Sequence, residues 1–134
     1  MMFQPVDLFS EATRALLPAM RQAGVKRLIV VTGFGAGDSR GRGGLLHKIG
    51  FNLFLRRAYD DKDVQEKLIR ESDLDWTIVR PVILYDGART GNYHILTDPK
   101  SWRLGFISRA NVADFLIRQI DDDRYLGATP VITG

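Results

Sequence analysis

Between Asp7 and Ala23 the apolar residues Leu8, Ala12, Ala15, Leu16, Ala19 and Ala23 recur at three- and four-residue spacing, the stripe of an amphipathic helix. Asp7 stands where an N-cap belongs and Gly24 where a left-handed stop belongs. Pro18 breaks the pattern: inside a helix it removes a hydrogen bond and crowds the carbonyl of Arg14, which predicts a kink or an early end. The period then changes. Residues 25–32 (Val-Lys-Arg-Leu-Ile-Val-Val-Thr) form a short apolar, β-branched run between glycines, which predicts a central parallel strand buried on both faces. Six glycines between Gly33 and Gly44, among Asp38, Ser39, Arg40 and Arg42, predict a mobile loop.

Residues 45–57 are apolar on several sides yet carry Lys48, Arg56 and Arg57, the pattern of a helical lid or interface element. Asp60 or Asp61 is then placed to cap a further helix to Glu71, with Val64 and Leu68 inward. Residues 76–79 predict a strand closed by Arg80-Pro81, because proline cannot donate to a ladder and restrains the residue before it. Residues 92–96 and 104–107 predict short strands, and Ser108 caps a helix whose Val112, Phe115, Leu116 and Ile120 share a face. Pro130-Val131-Ile132 predicts an edge strand. Alternating helices and buried strands give the fold class: one α/β domain over residues 1–134, a doubly wound parallel sheet with helices on both faces.

Composition narrows this little. With 45% hydrophobic and 26% charged residues in 134, the chain reads as an ordinary globular domain, and a net charge of +3 mildly favours anionic ligands. The absence of cysteine excludes disulfides and thiolate chemistry, which suits a reducing compartment, and the expected location is the cytoplasm. No signal-peptide pattern opens the chain and no apolar run reaches the about eighteen residues of a membrane span, so no membrane partner is expected.

Several motifs invite chemistry. Thr32-Gly33-Phe34-Gly35-Ala36-Gly37 follows a strand like a dinucleotide fingerprint, but the third glycine of G-x-G-x-x-G falls at Asp38 and no helix pattern opens there. Tyr59 and Lys62 invite comparison with a Tyr-x-x-x-Lys acid pair, one residue short; on a helix three- and four-residue separations both bring side chains near one another but differ by about 100° around the axis, so the roles do not simply transfer. His47 and His94 have no ligand grouping at metal spacing, so no metal is expected. No Gly-x-Ser-x-Gly elbow exists, and the basic residues from Arg40 to Arg57 are partly cancelled by Asp60, Asp61 and Asp63, so neither a serine hydrolase nor a nucleic-acid partner is expected.

The stretch from Asp61-Lys62 through Gln65-Glu66, then Ile69 to Pro81 in the form Ile-Arg-Glu-Ser-Asp-Leu-Asp-Trp-Thr-Ile-Val-Arg-Pro, then Asp86-Gly87, Thr90-Gly91 and Tyr93, resembles the atypical short-chain dehydrogenase/reductase family that binds NAD(P)H. NmrA-like proteins and biliverdin reductase B-like flavin reductases belong to that circle. The likeness continues in residues 107–116 and begins at residues 24–28. It implies the carboxyl-terminal portion of a Rossmann-like fold whose first strands and phosphate-binding loop are missing here, with NADP or NAD as cofactor. By the same resemblance Thr32, Gly33, Phe34, Lys62, Pro81, Val82 and Ile83 border the nicotinamide half of the cofactor, with backbone groups of Val82 and Ile83 at the carboxamide and Lys62 at the ribose. Lys62 would be the catalytic residue and Tyr93 would face the substrate.

The implied activity is hydride transfer from NAD(P)H to a flavin-, quinone- or carbonyl-type small-molecule acceptor, impaired without the dinucleotide-gripping half. The absent Tyr-x-x-x-Lys spacing leaves a second reading, a non-catalytic NmrA-like module that senses cofactor or binds protein. An unpaired sheet edge would also favour a homo-oligomer or pairing with another chain.

Overall fold

The computed structural model describes residues 7–36 and 53–134. Helix α1 (Leu8–Ala23) leads into strand β1 (Arg27–Val31), and helix α2 (Leu53–Arg70) into strand β2 (Asp75–Pro81). Strands β3 (Ile83–Tyr85), β4 (His94–Leu96) and β5 (Phe106–Ser108), helix α3 (Arg109–Arg118) and strand β6 (Val131–Thr133) follow. The main sheet has the order β1-β2-β6-β4, parallel except for β4, while β3 and β5 form a separate parallel pair. This is part of a Rossmann-like doubly wound sheet, as the alternation of elements implies.

Neighbouring residues of β2 face opposite ways and so build two cores. Ile78 packs with Leu17 and Met20 of α1 and Ile69 of α2, whereas Val79 packs with Val112 and Phe115 of α3 and with Val131 and Ile132 of β6. Helices therefore cover both faces.

Strand positions differ from the expectation in two places. β1, which reads as a central strand, pairs among the described residues only with β2 and ends the sheet, and Val31 is 38% exposed. β6, which reads as an edge, lies between β2 and β4 with all three residues buried. Apolar content fixes neither burial nor order here: of β1 only Leu28 is buried, so the strand is not buried on both faces.

α1 runs through Pro18 without a break. Both its ends are held: Asp61 Oδ2 accepts from Phe9 N at 2.8 Å and Ser10 N at 3.1 Å, and Gly24 at φ 72° closes the helix with its N–H on Arg21 O. Asp7 makes no side-chain cap. The buried face is Ser10, Thr13, Leu17 and Met20, not the Leu8–Leu16 stripe, which stays exposed. Thr13 Oγ1 donates to Phe9 O at 2.7 Å and Ser10 Oγ to Asp7 O at 3.2 Å, so these hydroxyls enter the core already satisfied.

α2 is described from Leu53 and passes through Asp60 and Asp61 without starting there; Asp61 caps a different helix. The expected loop beyond Ala36 and the expected lid before Leu53, with His47, lie outside the described residues. Ser108 Oγ caps α3 by accepting from Asn111 N at 3.1 Å, as its sequence signals. Val112 and Phe115 are buried, but Ile120 falls in a 3-10 turn beyond α3 and is 63% exposed.

Candidate functional site

β1 and β2 run in register from Arg27↔Asp75 to Val31↔Val79, so they end at one level. The ladder continues past them, Thr32 N donating to Val79 O and Phe34 N to Pro81 O, each at 3.0 Å. Between the two exits opens a cleft of about 350 Å³. Val31 to Phe34 form one wall and Pro81 to Leu84 another, with Tyr59 and Lys62 of α2 and Arg109 of α3 completing the rim. Crevices at the carboxyl ends of parallel strands are where such sheets bind ligands.

Lys62 is fixed in this cleft. Its Nζ donates to Thr32 O at 3.0 Å and lies 5.1 Å from the centre of the Phe9 ring and 5.3 Å from that of Tyr59. Burial lowers the ammonium's pKa from the ordinary 10.5, while the Glu66 charge opposes the shift. Burial likewise raises the Tyr59 phenol above 10.0 and keeps it protonated. A Cβ at Gly33 would stand 3.7 Å from both Lys62 Nζ and Tyr59 Oη, so both polar groups face bare backbone.

Behind the cleft floor, Thr32 Oγ1 donates to Glu66 Oε2 at 2.7 Å. The same carboxylate takes the buried Arg80 guanidinium on two atoms, and Arg80 lies 5.3 Å from the centre of the Trp102 ring. α2 therefore grips the end of β1 twice, at Thr32's carbonyl through Lys62 and at its hydroxyl through Glu66.

Thr32, Gly33, Phe34, Lys62, Pro81, Val82 and Ile83 are thus brought to one cleft. The backbone N–H groups of Val82 and Ile83 are committed to Ile132 O at 3.2 Å and Gly105 O at 3.1 Å. The register of β3 with β5 also commits the Ile83 carbonyl to the ladder, where it faces Ile107 N. Phe34 N and Ala36 N are likewise spent on Pro81 O and Gly33 O. Tyr93 lies elsewhere: its hydroxyl donates to Asp114 Oδ2 at 2.7 Å, its ring meets Phe115 edge-on at 6.1 Å, and it does not line the cleft. Burial and the Asp114 carboxylate push its phenol up to about 12.

Tyr59 carried only an imperfect spacing in the sequence, and Arg109 and the Glu66–Arg80 pair carried no chemical signal there at all. Among the described residues no group of three or more His, Asp or Glu is placed to hold a metal ion. No helix among them is long and apolar enough to cross a membrane. The cleft offers one cation, Lys62, and apolar walls from Phe34, Pro81 and Val82.

The fold and cleft define an α/β protein of the nucleotide-cofactor class. The chain belongs to the NAD(P)H-binding family, whose model matches residues 3–123. It is 31% identical over 117 residues to an uncharacterized sugar epimerase, YhfK, of Bacillus subtilis (strain 168), covering 87% of this chain and 48% of that protein. Among solved structures, ChuY from E. coli CFT073 superposes with a TM-score of 0.79 at 28% identity, covering 92% of this chain and 64% of that one. ChuY of Escherichia coli O157:H7, described as an anaerobillin reductase, gives 0.76 at 26% identity, covering 99% and 60%. The chain thus spans between about half and two-thirds of the length of these relatives.

Proposed function

We propose that the cleft receives the nicotinamide end of NADP or NAD and serves an oxidoreductase that passes hydride to a flavin-, quinone- or carbonyl-type small-molecule acceptor. The observation that carries this reading is the convergence of Lys62, Thr32 and Val82 on one cleft at the carboxyl ends of two parallel strands. The bound cofactor supplies the hydride. The chain's part is to position and to exclude water. Lys62, anchored on Thr32 O, donates to ribose hydroxyls; the carbonyl of Val82 accepts from the carboxamide, with Ile83 beside it; Phe34 and Pro81 shield the ring. Tyr93 contributes on the substrate side through the loop that it anchors to Asp114.

Because the chain spans only part of its relatives' length, the whole protein's activity belongs to this proposal. So do a cytoplasmic location and pairing of the β1 edge, on which no strand lies among the described residues, with a further strand in a homo-oligomer or with another chain. A second reading, a cofactor-sensing module without turnover, is favoured by Ala58, which stands four residues before Lys62 where a Tyr-x-x-x-Lys acid would need its tyrosine.

Calorimetric titration of the 134-residue chain with NADPH and NADH tests the cofactor reading. Saturable binding that weakens about tenfold in Lys62→Ala is expected, the loss of one charge-assisted hydrogen bond. A folded wild-type chain that gives no heat with either cofactor refutes a working nicotinamide site in this chain. Binding without oxidation of NADPH by flavin, quinone or aldehyde acceptors selects the sensing module.

A further inference from the structure

Ile117 at 68% exposure and Ile120 at 63% are the most exposed large apolar side chains among the described residues. They belong to one stripe. Ala110, Ala113, Ile117 and Ile120 recur at three-, four- and three-residue spacing along α3 and the 3-10 turn Gln119–Asp121 that continues it. That spacing keeps them on one side of the helix. Val112 and Phe115, about half a turn away, face the core. A surface helix ordinarily sets polar residues opposite its buried stripe, and a helix apolar on two sides is one covered from two sides.

The order of the residues says what covers it. Alanines make the amino-terminal half of the stripe and isoleucines the other half, and one charge closes each end, Arg109 before Ala110 and Asp121 after Ile120. Positions 109 and 121, 110 and 120, and 113 and 117 all share a midpoint at residue 115. A second α3 laid antiparallel across the first therefore sets Ile120 over Ala110, Ile117 over Ala113 and Asp121 beside Arg109. The two-fold axis makes every contact twice. Arg109 can turn to this partner. Its pair with Asp86, at 2.7 Å, has side chains 57% and 93% exposed, so it contributes little and gives way to a less hydrated carboxylate.

We infer that the outer face of α3 is the interface of an antiparallel homodimer of this chain. Bulky side chains over small ones let the helices approach closely. The end charges fix the register and reject the parallel arrangement, which would set like charges together. This surface is separate from the β1 edge and asks for no bound dinucleotide. One helix pair about 18 Å long covers less than the roughly 800 Å² per partner of a standard interface, so the dimer should be reversible, with a dissociation constant on the order of 10–100 µM.

Sedimentation equilibrium of the 134-residue chain from about 1 to about 500 µM should show monomer and dimer in exchange. Ile117→Glu should weaken the dimer by about tenfold or more. Arg109→Glu and Asp121→Arg should each weaken it by about fivefold, and the two together should recover most of the loss, because the pair is restored with its charges exchanged. These side chains are exposed, and unchanged melting by circular dichroism shows that each variant is folded. A chain that stays monomeric throughout, a dimer that survives Ile117→Glu, or charge reversals whose effects add instead of cancelling overturns the interface. Pairing through the β1 edge would give the second of these results.

The absence of cysteine lets the register be read directly. In an equal mixture of Ala113→Cys and Ile117→Cys chains, a short bis-maleimide should join unlike chains more often than chance, as mass spectrometry distinguishes, because each position faces the other across the axis. Unlike chains joined no more often than chance would mean that the antiparallel register is wrong.

Discussion

Arg80, wholly buried, meets Glu66 side by side, Nε to Oε2 at 3.1 Å and Nη2 to Oε1 at 2.6 Å. Removing one partner breaks a two-bonded ion pair in a buried site, at a cost of up to about 3–5 kcal/mol, the lower end being expected for loss of Arg80 because Arg70 Nη2 stays 3.8 Å from Glu66 Oε1. Glu66→Gln and Arg80→Met should each lose stability on this scale in urea unfolding. Glu66→Leu with Arg80→Met should lose less than either single change, because no charge is left behind. A double variant as unstable as the sum of the singles refutes the argument.

The cap of α1 comes from α2, not from its own flank. Asp61→Ala should cost about 1 kcal/mol, roughly 4 °C in melting temperature, because Phe9 and Ser10 lose their acceptor. Asp7→Ala should change little, since Asp7 makes no side-chain cap. Equal effects at the two positions would overturn the assignment.

These two helices show which parts of the sequence speak locally. Ser108 and Gly24 are read correctly because a cap bonds within its own turn. The α1 face is misread because Ser10 and Thr13, polar by composition, satisfy their hydroxyls on their own helix and become core residues. β1 reads as central and among the described residues stands at an edge, because strand order depends on partners far away in sequence. At the site, the residues after β1 and β2 were legible through the resemblance of Arg80-Pro81 and its surroundings. Arg109 and Tyr59 reach the cleft through the packing of α3 and α2, which no spacing announces.

Asp114 predicts the acid limb of stability. Hydrogen bonds from Tyr93 and then Arg89 hold its carboxyl below the ordinary 3.8. The unfolded chain therefore takes up this proton first. The stabilisation is complete above the unfolded value and is lost as pH falls through the lower folded one. Urea midpoints between about pH 5 and pH 2 should fall less steeply in Asp114→Asn, and Tyr93→Phe should give an intermediate slope. Identical slopes for all three proteins would remove Asp114 from the account.

Lys62 has the opposite chemistry and a sharper readout. Burial lowers its folded pKa below 10.5 and the Glu66 carboxylate holds it up, so the two causes separate in a variant. In Glu66→Gln only the burial remains, and the Lys62 value, followed by the ¹³Cε shift in an NMR titration, should fall further than in the wild type. The pH slope has the same sign as at Asp114, since both folded values are lowered and stability rises with pH, but at Lys62 a cost is relieved where at Asp114 a gain is acquired. The folded chain releases this proton earlier than the unfolded one, so the cost of burying the ammonium is present at low pH. It is relieved as pH rises from the lowered folded value toward 10.5. A Lys62 value that does not move in Glu66→Gln would mean that the carboxylate is too well neutralised by Arg80 to act across the Thr32 side chain. Glu66 would then hold the end of β1 in place without tuning the amine beside it.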